Sequence, residues 1–138
     1  MALRETATTA EPASGVRSAV PTFLVPDVDA TARWYAERLG FRVAGAFPAG
    51  EPVYASLQRG GAELMLLRLA GYEKPDLTTL RPDGLWDAYV RMDGVAAFYE
   101  SVRDEPFVRM TLRQQPYGGW EFEVRDPNGY ILVFGGTA

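Results

Sequence analysis

The chain carries two copies of one phrase, and that duplication restricts its fold more than composition does. VPDVDATARWYAERLGF (25–41) has a counterpart in MDGVAAFYESV (92–102), and GGAELMLLRL (60–69) has one in NGYILVFGG (128–136). Aligning Val28 with Val95 gives an offset of 67 residues, and aligning Gly61 with Gly129 gives 68. Two separate anchors that agree within one residue argue for an internal repeat. Each copy reads in the same order: strand, helix, then three strands.

In the first copy AVPTFLV (19–25) is the expected opening strand, closed by Pro26. The spacing predicts a helix over about 28–39. Asp27 or Asp29 caps it, Val28, Ala32, Tyr35 and Leu39 share one face, and Gly40 stands where a C-cap belongs. FRVAGAF (41–47), VYASLQR (53–59) and AELMLLRL (62–69) read as strands, the last two joined across Gly60-Gly61. The second copy opens with WDAYVRM (86–92), followed by a short helix capped by Asp93 with Val95, Phe98, Tyr99 and Val102 on one face. VRMTLRQ (108–114), WEFEVR (120–125) and YILVF (130–134) complete it, the last two joined by the turn residues Asp126-Pro127-Asn128-Gly129. The expected fold class is α+β, with two tandem βαβββ modules forming curved mixed sheets around a cleft. One domain spans 18–138: module one about 19–70, a linker over 71–85 rich in Pro and Gly, and module two about 86–136. Residues 1–17 lack the apolar core of a signal peptide and read as a disordered leader.

Absent residue types narrow the chemistry. The 138 residues include no Cys, which removes disulfides, thiolate nucleophiles and thiolate metal sites. They also include no His, which removes the commonest general base and the commonest transition-metal ligand. Net charge is −4, which disfavours binding to a phosphate backbone, so no nucleic-acid partner is expected. Thirteen of the fourteen basic residues are Arg, a compositional bias rather than a phosphate clamp. Neither Gly-Gly pair, at 60–61 or 118–119, precedes a helix with a phosphate-binding Lys or Thr, so both read as hairpin turns. No apolar run approaches the ~20 residues of a membrane helix, and the protein is expected to be cytoplasmic.

V-x-D-V-x-A-x-x-x-x-Y-x-x-x-LGF at Val25 to Phe41, with V-R-D-P-N-G-Y at Val124 to Tyr130, resembles the vicinal oxygen chelate superfamily. That group includes glyoxalase I, extradiol dioxygenases and the fosfomycin and bleomycin resistance proteins. The resemblance covers roughly residues 19–136, and PYGGWEFEVRDPNGYILVF (116–134) is most similar to the bleomycin-resistance branch. Metal-dependent members place ligands at four equivalent strand positions. Carried over by resemblance, these fall on Val20, Met65, Asp87 and Val133. Three of the four are apolar, and one carboxylate does not make a metal site, so no metal and no other cofactor is expected. A shifted register could still gather Glu63, Asp87 and whichever of Glu121 and Glu123 points inward. Arg91, on the Asp87 face of the same strand, is its expected ion-pair partner.

Without metal, the cleft offers aromatic and charged side chains. The expected ligand-binding set is Trp34, Tyr54, Glu63, Met65, Trp86, Asp87, Tyr89, Arg91, Phe107, Tyr117 and Trp120. Tyr35, Phe98 and Tyr99 are assigned to packing by their helical spacing, and core and cleft both suit Trp34. Aromatic walls with acidic groups suit a flat or cationic organic molecule. The expected function is binding and sequestration of such a molecule by a homodimer, without turnover. The alternative is a metal-independent isomerase or lyase using Asp87 or Glu63 as acid/base.

Overall fold

The computed structural model describes residues 14–138; residues 1–13 of the expected leader lie outside them. The first module contains β1 (Thr22–Val25), α1 (Val28–Leu39), β2 (Arg42–Phe47), β3 (Tyr54–Arg59) and β4 (Ala62–Arg68). The second contains β5 (Ala88–Met92), α2 (Val95–Val102), β6 (Val108–Gln114), β7 (Trp120–Arg125) and β8 (Ile131–Gly136). Each forms one mixed four-stranded sheet, ordered β1-β4-β3-β2 and β5-β8-β7-β6, in which the opening strand pairs in parallel with the last. The two tandem βαβββ modules are as the duplicated sequence predicts.

Helix α1 forms where the periodicity places it. The Asp27 carboxylate accepts from the Ala30 N–H at 3.0 Å, Val28, Ala32, Tyr35 and Leu39 are buried, and Gly40 ends the helix at φ 73°. Three expectations are corrected. First, β1 begins at Thr22 rather than 19, so Val20 precedes the strand, and β5 begins at Ala88, so Trp86 and Asp87 precede theirs. Second, the N-cap of α2 is Gly94 at φ 68°, with no side-chain cap, rather than Asp93. The Gly94 carbonyl takes the first helical bonds, from the Ala97 and Phe98 N–H groups, so the helix starts one residue later than Asp93 would require. Third, β8 runs on to Gly136 instead of ending at 134, because the parallel partner β5 pairs Arg91 with Gly135 and Met92 with Gly136.

Strand side chains alternate, so each sheet has two unlike faces. Phe23, Val25, Leu57, Leu64 and Leu66 of the first sheet are buried in the core, as are Phe122, Val124, Leu132 and Phe134 of the second. The opposite faces are only partly covered: Leu24 and Leu67 of the first sheet and Tyr89 and Arg91 of the second reach the surface, while Ser56, Glu121, Glu123 and Val133 are buried there. The DPNG turn joins the two modules. Its Asp126 carboxylate, 3% exposed, accepts from the Tyr35 hydroxyl at 2.6 Å and from the N–H groups of Asn128 and Tyr130 at 2.8 and 2.9 Å. Asn128 donates to the Thr31 hydroxyl on α1 at 2.9 Å. Tyr130 donates to the Leu24 carbonyl at 2.7 Å while its ring stacks on Phe23 at 4.1 Å. The turn between the last two strands of the second repeat therefore holds the helix and first strand of the first.

Burial, reinforced by the charge of Asp126, raises the Tyr35 hydroxyl well above its usual value of 10.0, and burial raises Tyr130 to about 12. Both phenols stay protonated in the folded chain at a pH where the unfolded chain ionises. Their contribution is therefore complete below pH ~10 and lost above it, at up to ~1.4 kcal/mol per pH unit for each. Urea midpoints at about pH 9 and about pH 11 are expected to fall sharply between the two, and Tyr35→Phe should remove part of that fall. Equal midpoints would refute this account.

Candidate functional site

The open face of the second sheet carries the densest polar chemistry. W-E-F-E-V-R alternates, so Phe122 and Val124 enter the core while Glu121 and Glu123 both point the other way. The two carboxylates then diverge. Glu123 pairs with Arg109 at 2.6 Å, and the same guanidinium donates to the Pro82 carbonyl of the linker. Glu121, only 7% exposed, receives phenol hydroxyls instead: Tyr89 at 2.6 Å and Tyr117 in a short hydrogen bond. Arg91 on β5, Gly135 on β8, Glu121 on β7 and Arg113 on β6 stand in one cross-strand row. Even so, among the described residues no cation comes within ion-pair distance of Glu121. It is a nearly buried carboxylate closed by two phenols.

Trp86, Tyr89, Arg91, Tyr117 and Glu121 line a niche of ≈ 470 Å³. The Trp86 and Tyr89 rings meet edge to face at 5.8 Å. Burial, then the hydrogen bond to Glu121 and its charge, raise Tyr89 to about 12, and the same bond raises Tyr117. Both phenols thus remain donors well into alkali. Gly135 makes this geometry accessible. A Cβ there would overlap the Tyr89 hydroxyl and lie 2.8 Å from its Cζ and 3.0 Å from the Glu121 Cγ. Tyr89 reaches Glu121 by crossing the bare backbone of β8.

The residues expected to bind ligand divide into four groups. Trp86, Tyr89, Arg91 and Tyr117 come together around Glu121. Tyr54, Glu63 and Met65 lie on the open face of the first sheet, where the Ser56 hydroxyl donates to Glu63 at 3.1 Å. Trp34, Phe107 and Trp120 are partly buried and packed against the core rather than grouped around Glu121. Trp34 sits edge-on to Tyr35 and Phe107 at 5.2 and 5.3 Å, across the seam between modules, and Trp120 alternates with Phe122 toward the helix side. Asp87 forms the fourth group. Its backbone N–H donates to the Ile131 carbonyl at 2.7 Å and its carboxylate accepts the Ile131 N–H at 2.8 Å, pinning the start of β8. Its cation is Lys74 at 3.6 Å rather than the expected Arg91, because the linker folds back beside it. Glu121 is one of two glutamates, with Glu123, whose facing the sequence reading leaves open. The alternation of WEFEVR was the signal available, since it puts both glutamates opposite Phe122.

The sequence profile of the Glyoxalase/Bleomycin resistance protein/Dioxygenase superfamily matches residues 18–134. The chain belongs to that superfamily. Its fold is similar to that of a bleomycin resistance determinant encoded on transposon Tn5: 25% identity, TM-score 0.66, covering 88% of this chain and 98% of that one. It is similar to a bleomycin-binding protein in complex with bleomycin (26%, TM-score 0.63, covering 87% and 98%). The bleomycin-binding protein of Streptomyces verticillus, complexed with copper(II)-bleomycin, is also similar (25%, TM-score 0.60, covering 86% and 94%). Among curated proteins none matches significantly. The superfamily's metal positions do not fit a metal in this member. Val20, Met65 and Val133 have no donor suited to a hard or borderline cation, and Asp87 is engaged by Ile131 and Lys74. Among the described residues, no cluster of three or more His, Cys, Asp and Glu side chains is placed to hold a metal ion, so Glu63, Asp87 and Glu121 do not form the all-carboxylate site. No helix among the described residues is long and apolar enough to cross a membrane.

Proposed function

We propose that the protein binds a flat, cationic small molecule and holds it unchanged, in the manner of bleomycin-sequestering members of its superfamily. Glu121 carries this reading. A carboxylate removed from water without a cation is costly, and a ligand cation entering between Trp86, Tyr89 and Tyr117 would relieve that cost through charge and cation–π attraction. The similar bleomycin-binding proteins support it. The acid/base alternative, on Asp87 or Glu63, gains no such support: Asp87 is used to anchor β8, and Glu63, bonded by Ser56, lies on the other sheet. Titration with bleomycin or another aromatic cation should perturb tryptophan fluorescence, weaken as salt rises, and return the compound unaltered. Glu121→Gln is expected to weaken binding by about ten- to a hundredfold, as for losing a charge-assisted contact, and Trp86→Ala by about tenfold. Trp120→Ala should act through stability instead. Binding that ignores salt and both site substitutions, or a chemically altered product, would sink the proposal.

A homodimer belongs to this reading. On the open face of the first sheet Leu24, Leu67, Tyr54 and Phe47 stand opposite one another across all four strands. Phe47 is 70% exposed, and Leu24 and Leu67 are also exposed. A second copy would cover this apolar row and wall the Glu121 niche. Light scattering at micromolar concentration should report about twice the 15.2 kDa chain mass, with Phe47→Glu shifting it toward the monomer. A particle of single-chain mass would count against the dimer.

A further inference from the structure

Beside the Glu121 niche lies a second cavity of ≈ 600 Å³, at the seam where the β3–β4 hairpin of module one meets β5 of module two. Its charged lining residues are Arg59 and Arg91; no acidic side chain lines it. Neither arginine pairs with a carboxylate of the described residues. Arg59 is fixed in place: it donates to the Leu39 carbonyl at 3.1 Å and lies over the Phe98 ring at 4.1 Å. A guanidinium has five N–H donors, and Leu39 takes one. Gly60 and Gly61, which form the hairpin turn, complete this wall without side chains. Arg91 and Tyr89 also line the Glu121 niche, so the two cavities share a wall.

We propose that this cavity is an oxyanion subsite, and that the ligand is amphoteric, with its cation at Glu121 and a carboxylate or phosphate between Arg91 and Arg59. The proposal rests on the cationic reading of the Glu121 niche for its second half only. A purely cationic ligand would meet Arg91 as a like charge in the same niche, and that guanidinium, which lies over the Tyr89 ring at 5.7 Å, would gain no anion. A ligand of both signs satisfies both groups. The spacing accommodates it, because Arg91 and Glu121 stand in one row on β5 and β7 with Gly135 between, backbones ~10 Å apart. Arginine suits the role because its planar fork matches a carboxylate or phosphate in two parallel hydrogen bonds.

The test uses inorganic phosphate on the full chain, followed by amide and arginine side-chain NMR shifts at constant ionic strength. Phosphate should cause saturable shifts at the Arg91 Nε–H and at the Gly60 and Gly61 amides. Arg91→Gln should weaken that binding at least about tenfold and Arg91→Lys by less, whereas Glu121→Gln should leave it intact or tighten it. A second arm compares benzylamine with 4-(aminomethyl)benzoate. The added carboxylate should improve affinity about fivefold or more in the native chain and give no advantage in Arg91→Gln. Non-saturating shifts, or a phosphate affinity unmoved by Arg91→Gln, would overturn the subsite. Equal affinity of the two amines in the native chain would overturn the amphoteric ligand. If neither amine binds while phosphate does, the cationic reading and the amphoteric ligand both fail and the oxyanion subsite stands.

Discussion

Asp126→Ala is expected to destabilise the protein by about 3–5 kcal/mol, enough to lower its melting temperature by roughly 10–20 °C. The side chain is 3% exposed and accepts three hydrogen bonds. Alanine would leave the Tyr35 hydroxyl and the Tyr130 N–H buried without acceptors, in a space too confined for the backbone to turn away. The damage would also spread across the seam between modules, because the same turn positions Asn128 against Thr31 and Tyr130 against Phe23 and Leu24. Asp126→Asn separates hydrogen bonding from charge. Its side-chain oxygen still accepts from the turn, so the cost should drop to roughly 1–2 kcal/mol. Burial raises the Asp126 carboxyl above its ordinary 3.8, against its hydrogen bonds, which lower it. The folded chain therefore takes up the proton first as pH falls. Its stability from this group is complete below the unfolded value and declines as pH rises through the folded one. Thermal scans of both variants measure the effect. A loss in Asp126→Ala no larger than that of a surface substitution would show that the turn is not what holds the modules together.

The second large effect is expected from the smallest change. Gly135→Ala should abolish the contact of Tyr89 with Glu121, because the new methyl occupies the space the phenol crosses. Gly135 is not among the glycines with positive φ, so the backbone itself accepts alanine and the cost is steric, on the order of 1–3 kcal/mol. Three readouts should move together. Tyr89, held at about 12, should ionise closer to 10.0 in an absorbance titration. Binding of the aromatic cation should weaken by at least about tenfold, since the niche loses one wall and Glu121 one donor. The stability loss should shrink when Tyr89→Ala is added, a non-additivity that a clash with any other residue would not produce. An unchanged Tyr89 titration in Gly135→Ala would exclude the crossing geometry.

The repeat, the helix faces and the DPNG turn were legible in the sequence because each depends on local rules. Alternation fixes which strand residues share a face, turn residues fix the hairpins, and Val28, Ala32, Tyr35 and Leu39 mark the buried stripe of α1. Element ends were less legible. Trp86 and Asp87 look like strand residues, but the bonds to Ile131 place them just before β5 as its anchor. The aromatic residues were hardest to assign, since tryptophan is equally at home in a core and on a ligand face. Trp34 and Phe107 pack where the modules meet and Trp120 packs on the helix side of β7, while Trp86, Tyr89 and Tyr117 stay exposed.

The sequence by itself therefore determined the duplicated architecture and the lack of histidine and cysteine side chains. These follow from residue identity and from periods of a few residues. Only the tertiary structure decided what surrounds each carboxylate. Asp87, Glu63, Glu121 and Glu123 are chemically alike in the sequence, and they are separated by partners on other strands and on the linker. Lys74 and Ile131 engage Asp87, Ser56 donates to Glu63, Arg109 neutralises Glu123, and Tyr89, crossing Gly135, covers Glu121, which has no cation within ion-pair distance among the described residues. A charge's role depends on what lies within a few ångströms of it, and that distance is set by packing between segments rather than by their order.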